Sequence, residues 1–176
     1  HHLGQIKKSE YNKRLKKLKQ DQFYNQELDE YVQVYVDFAL EKINEARART
    51  PDAVVLLEMK LDYSEWVPGG FGTGDLVLVS DDVLEVMDMK FGRGIPVSAV
   101  DNSQIQLYAL GALNQFGCLY NINTVRMTIV QPRLDSISTD EITVDDLLYW
   151  ATNTVMGAAK KAFKGEGEFL PGDHCR

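Results

Sequence analysis

The stretch that decides the fold runs Gly74-Asp75-Leu76-Val77-Leu78-Val79-Ser80-Asp81-Asp82-Val83-Leu84-Glu85-Val86-Met87-Asp88-Met89-Lys90. Two apolar runs flank Asp81-Asp82, which is a hairpin signal. A two-residue turn there pairs Ser80 with Val83, Val79 with Leu84 and Val77 with Val86. A four-residue loop centred on the same pair gives the same register. That count sets Asp75 directly opposite Asp88. Side chains alternate along a strand, so one face carries Val77, Val79, Leu84 and Val86 and ends in Asp75, Asp88 and Lys90. Leu76, Leu78, Met87 and Met89 line the other. A hairpin apolar on both faces is central and buried.

Two opposed carboxylates in such a hairpin need a counter-charge, because directly opposed Cβ atoms stand about 5 Å apart and like charges there are destabilising. A divalent cation supplies one, since Mg²⁺ favours one or two carboxylates with water completing its shell. Lys90, one pleat along, supplies another. The plainer reading is an Asp-Lys-Asp surface cluster where a hairpin meets a loop. The apolar character of both faces weighs against it, since unpaired buried charge is expensive. In the preceding strand, Glu58 alternates with Val54 and Leu56; its carboxylate either joins a metal site or pairs with a cation such as Lys60.

Working outward, residues 6–20 read as a basic helix or arm. Gln26 to about Arg47 reads as an amphipathic helix, with Leu28, Tyr31, Val32, Tyr35, Phe38, Ala39 and Ile43 at helical spacing. Thr50-Pro51 ends it. Ala53–Leu61 reads as a strand, Ser64–Gly74 as a mobile Gly-rich loop and Phe91–Pro96 as another. A helix is expected from Asn102 to Phe116, capped by Asp101, Asn102 or Ser103. On it Gln104 and Tyr108 share a face, beside a stripe of Ile105, Ala109, Ala112 and Phe116. Thr124–Gln131 reads as a strand and Thr143–Lys164 as a helix capped by Thr143 with Asp146 three residues on. The order of helix, three strands, helix, strand, helix implies one α/β domain with a mixed sheet flanked by helices. It divides into a basic arm (1–25), a core (26–164) and an irregular tail (165–176).

The chain has 176 residues and a formal net charge of -7. Its composition of 44% hydrophobic and 26% charged residues is that of a globular domain and excludes disordered, collagenous and disulfide-scaffold classes. No apolar run is long enough to span a membrane. Cys118 and Cys175 suggest no disulfide framework and favour a reducing compartment. With His1-His2 at its start, no initiator Met and no signal-peptide pattern, the chain is expected to be a fragment. Residues 1–20 hold seven Lys and Arg against Glu10 alone, which suits either a polyanion or a solvated helix face. Gly70-Phe71-Gly72-Thr73-Gly74 lacks the dinucleotide and P-loop fingerprints and precedes a strand, so nucleotide binding is not expected. His174 and Cys175 alone do not make a zinc site.

Gly72-Thr73-Gly74-Asp75, Asp88-Met89-Lys90 and Gln104-Ile105-Gln106-Leu107-Tyr108 read in order as GxxD, DxK and QxxxY. This set resembles the PD-(D/E)XK nuclease superfamily in its RecB-like branch. From about Glu58 to Arg176 the chain is similar to a phage and prophage family of uncharacterised proteins of that branch, in stretches such as GFGTGDLVLV and VRMTIVQPRLDSIS. The resemblance implies a restriction-endonuclease-like α/β core. It implies Mg²⁺ or Mn²⁺ held by Asp75, Asp88 and the Met89 backbone carbonyl, with Lys90 steadying the attacking water or the scissile phosphate. Gln104 and Tyr108 would orient the site or touch the DNA backbone. The upstream metal-binding histidine of the branch would fall at His1, although Gln5 stands where the family usually has Glu. Glu58 matches an acidic position of the first core strand and would support the ligands from behind. An iron–sulfur cluster would need cysteines beyond Arg176.

The function so implied is a metal-dependent deoxyribonuclease of exonuclease type, phage- or prophage-encoded and acting in the bacterial cytoplasm, with DNA and a phage recombination protein as partners and no membrane. Arg93 and the group Lys160, Lys161 and Lys164 are candidates to hold the DNA backbone. The rivals are a non-catalytic DNA-binding module that keeps the fold, and a structural protein with an incidental acidic cluster.

Overall fold

The fold is taken from a computed structural model that describes residues 6–172. A first helix, α1 (Lys8–Leu18), is followed by the long α2 (Gln26–Arg49). Asn25 caps α2 by accepting from the Leu28 N–H at 2.7 Å. Glu27 and Asp29 in the first turn and Arg47 and Arg49 in the last complement the helix dipole. The chain then lays down β1 (Val54–Asp62), β2 (Phe71–Val79) and β3 (Asp82–Met89). Next come α3 (Ser103–Phe116), β4 (Ile122–Gln131) and β5 (Ser136–Thr143). It closes with α4 (Val144–Trp150), a π turn (Ala151–Val155) and α5 (Met156–Phe163).

The five strands lie in chain order in one sheet. Every neighbouring pair is antiparallel except β3 and β4, which are parallel with α3 as the crossover. One face packs on α3 and α4 through Val77, Val79, Leu84, Val86, Ile105, Ala109, Met127 and Leu147. The other packs on α2 through Leu76, Leu78, Met87, Ala39, Ile43 and Ala46. This mixed sheet flanked by helices is consistent with a restriction-endonuclease-like core. Among the described residues no helix is long and apolar enough to cross a membrane.

The β2–β3 register is the expected one, with Val77 opposite Val86 and Val79 opposite Leu84. Asn102 is the cap of α3, accepting from the backbone of Gln104 and Ile105, and Thr143 caps α4 through the Asp146 N–H.

Four expectations are corrected. First, the Gly-rich segment expected as a loop from Ser64 to Gly74 is strand from Phe71 onward. Its glycines serve close approach: a Cβ on Gly72 would stand 2.2 Å from the Tyr108 ring, and one on Gly74 2.8 Å from Leu61. Secondly, a fifth strand, β5, was not expected. Its Ser, Thr, Asp and Glu conceal an alternating half-buried pattern on a sheet edge. Thirdly, the expected helix 143–164 is interrupted by the π turn.

Fourthly, side-chain alternation is not continuous along β1 and β2. Val54, Leu56, Met59 and Leu61 all pack on the α3 side, which strict alternation forbids. The break coincides with Glu58, a non-glycine residue at φ 50°, so Glu58 does not continue the face of Val54 and Leu56 and stands exposed. In β2 a Cβ at Gly74 would meet Val77, so alternation breaks there too, around Asp75. The ladder passes from Leu57–Leu76 to Met59–Gly74 without shifting register, since each strand skips one residue at this level. Asp75 therefore does not simply extend the face of Val77 and Val79. It lines a hollow beneath α2.

Candidate active site

The β2–β3 pairing ends at Leu76–Met87, and Asp75 and Asp88 are the next residues on the two strands. Asp75 replaces the missing ladder bond with its side chain: Oδ2 accepts the Met89 N–H at 2.7 Å. The two strands are thus pinned together where they begin to separate. Burial raises the Asp75 carboxyl above its ordinary value, and the charges of Asp88 and Glu58 add to the rise, while the Met89 N–H and Lys90 oppose it.

Asp88 is buried, only 6% exposed. Its Oδ2 lies 2.9 Å from Lys90 Nζ. That distance makes an ion pair, which compensates the buried charge, and among the described residues Oδ2 makes no further hydrogen bond. Lys90 also donates to Gln104 Oε1 at 2.9 Å, and Gln104 Nε2 donates to the Tyr108 hydroxyl at 3.0 Å. The i, i+4 spacing on α3 makes the second contact. The first exists because the crossover returns α3 over β3. A chain of polar contacts therefore runs from Asp88 through Lys90 and Gln104 to Tyr108.

A residue the sequence pattern did not mark joins this group from the other face. Tyr35 on α2 has a buried hydroxyl without a hydrogen-bond partner among the described residues. Burial raises its phenol well above the ordinary value, and Asp75, Asp88 and Glu58 raise it further. In the sequence Tyr35 is one more apolar position of an amphipathic helix, and no spacing rule singles it out.

Glu58 lies near enough for its charge to act on both Asp75 and Tyr35. Arg93 is exposed and paired with Glu27. Lys160, Lys161 and Lys164 are exposed on α5 and just after it, a helix that packs chiefly on the turn before it. They are not drawn into the Asp75–Tyr108 group. His1, His174 and Cys175 lie outside the described residues.

Among the described residues, no three His, Cys, Asp or Glu side chains are grouped to hold a metal ion. A Mg²⁺-type ion does not need three, because it keeps several waters and binds through one or two carboxylates. Asp75 and Asp88 are two such carboxylates, and among the described residues the buried Asp88 Oδ2 has only the Lys90 ammonium against it. The residues present therefore fit a hard divalent cation.

Among solved structures, the chain is similar to one described as the crystal structure of SSO0001. The two are 18% identical, with a TM-score of 0.32, over 81% of this chain and 68% of that one. So distant a likeness carries no information on chemistry. The sequence profile of the family described as "Protein of unknown function (DUF2800)" matches residues 1–176, and the chain belongs to that family.

Proposed function

We propose that this protein is a divalent-metal-dependent deoxyribonuclease of the PD-(D/E)XK type. The observation that carries the reading is the buried Asp88 carboxylate. It lies across from Asp75 at the end of the strand pair, with Lys90 Nζ 2.9 Å from its Oδ2. Two carboxylates against one lysine leave negative charge that a cation would balance.

Phosphodiester hydrolysis requires a nucleophilic water near neutral pH and stabilisation of an anionic transition state. A bound Mg²⁺ or Mn²⁺ supplies both an acidified water and a Lewis acid. Asp75 and Asp88 would hold the ion, with the Met89 carbonyl beside them. Lys90 brings a fixed positive charge to the phosphate oxygens as charge develops on them. Gln104 accepts a Lys90 N–H and so fixes where the ammonium points, and Tyr108 fixes Gln104 in turn. This restraint matters because a lysine stem is otherwise flexible.

The exonuclease assignment, a phage recombination setting in the bacterial cytoplasm and a recombination partner protein rest on the resemblance of the GxxD, DxK and QxxxY motifs. The test is cleavage of end-labelled linear and closed circular DNA with Mn²⁺ or Mg²⁺, comparing the parent chain with Asp88→Ala and Lys90→Ala. The expected result is metal-dependent loss of linear DNA, survival of the circle and inactivity of both variants. If nothing is cleaved and Mn²⁺ brings no thermal stabilisation, the reading falls, and a DNA-binding module with this fold takes its place.

A further inference from the structure

We infer that Tyr35 is a positioning residue of this site, its hydroxyl hydrogen-bonding to the water shell of a cation held by Asp75 and Asp88. The inference rests on the nuclease reading and adds to it an element, α2, that carries none of the three motifs.

The geometry follows from helix spacing. Ala39, Ile43 and Ala46 form the stripe by which α2 packs on Leu76, Leu78 and Met87. Tyr35 continues that stripe one turn toward the N-terminus, which is a step of about 6 Å along the axis. On the strand beneath, the residue beyond Leu76 is Asp75. The stripe thus leaves the apolar core and reaches the hollow that Asp75 lines.

A tyrosine with a purely structural role keeps its ring in the core and gives its hydroxyl to a carbonyl or to bulk water. The Tyr35 hydroxyl does neither: it is buried and has no partner among the described residues. The charged groups acting on it are Asp75, Asp88 and Glu58. An unsatisfied buried hydroxyl calls for an explanation, and a hydrated cation between the carboxylates provides one. Tyr35 and Asp75 line the same hollow, together with Leu57 and Leu76, and Asp88 stands on the neighbouring strand where the β2–β3 pairing ends. The phenol can donate to a water oxygen or accept from a water proton, so it suits a metal-bound water and needs no change of protonation.

The test compares the parent chain, Tyr35→Phe and Asp88→Ala. Phenylalanine keeps the ring and removes only an oxygen that has no partner among the described residues, so Tyr35→Phe should fold with its metal-free melting temperature unchanged or slightly raised. Mn²⁺ affinity is read without DNA, from the free Mn²⁺ electron paramagnetic resonance signal. A lost hydrogen bond of ordinary strength weakens binding about three- to tenfold. In cleavage, kcat should fall by a similar or larger factor while KM for DNA stays constant. Weaker Mn²⁺ binding by Tyr35→Phe, with binding abolished in Asp88→Ala, supports both the inference and the site. Unchanged Mn²⁺ affinity in Tyr35→Phe, with Asp88→Ala unable to bind, overturns the inference and leaves the nuclease reading standing. A loss of thermal stability in Tyr35→Phe at unchanged Mn²⁺ affinity makes the residue structural and overturns it as well. Absence of Mn²⁺ binding by the parent chain overturns both.

Discussion

Replacing Gly72 with alanine tests how the glycines before Asp75 shape the site. An added Cβ would stand 2.2 Å from Tyr108 Cε1, 2.9 Å from Cδ1 and 3.1 Å from Cζ. Carbon atoms rest about 3.5–4.0 Å apart, so the ring must retreat by more than about 1 Å. Overpacking of that kind costs about 1–3 kcal/mol. Gly72 is not among the glycines at positive φ, so alanine fits the backbone and recovers about 0.4–1 kcal/mol by restricting the unfolded chain. The net expectation is destabilisation of about 1–2 kcal/mol. With Tyr108→Ala in place the obstacle is gone, and Gly72→Ala should stabilise by about 0.4–1 kcal/mol. The coupling between the two sites then equals the overpacking energy, about 1–3 kcal/mol. Equilibrium urea unfolding of the four proteins of this cycle measures it. An equal effect of Gly72→Ala in both backgrounds would falsify the reasoning. The ring shift also breaks the Gln104–Tyr108 contact, so Gly72→Ala should slow cleavage although it touches neither carboxylate.

Asp75→Asn should raise metal-free stability at pH 7. A carboxyl held above its unfolded value gives stability that is full below that value and declines as pH rises through the raised one. The amide keeps an acceptor for the Met89 N–H, removes the decline and forfeits Mn²⁺ stabilisation. Melting curves from pH 3 to 8 with and without Mn²⁺ decide it, and a variant less stable than the parent at pH 7 without metal refutes it. Lys90→Met should lower kcat by about 10²–10³-fold with little change in KM, whereas an equal loss in an Asp88-independent assay such as DNA retention would argue for a general binding role. Arg126→Met should cost about 3 kcal/mol or more at pH 8, since it strands Glu85, which is 1% exposed in the sheet interior and has Arg126 as its ion-pair partner at 3.5 Å. Burial raises the Glu85 carboxyl, so the penalty should shrink as the pH falls and it protonates. A pH-independent penalty in urea melts would refute that account.

Much of the fold and part of the site were legible in local patterns. Alternation of Val, Leu and Met about Asp81-Asp82 determined the β2–β3 register, and through it the opposition of Asp75 and Asp88, because a two-residue side-chain period is a property of the strand itself. The cap signal at Asp101, Asn102 or Ser103 and the four-residue spacing of Gln104 and Tyr108 determined α3 and the face it presents for the same reason. Tertiary structure decided the rest. The side-chain break at Glu58 depends on a positive φ at a non-glycine residue, which only surrounding packing can impose, and the break around Asp75 accompanies it across the ladder. β5 is held by pairing with β4, not by its own polar residues. Lys90 meets Gln104 because the crossover brings α3 back over β3. Tyr35 shares a hollow with Asp75 because α2, distant in sequence, covers that face of the sheet. Each of these joins residues whose separation along the chain carries no periodic signal, so only the folded arrangement determines it.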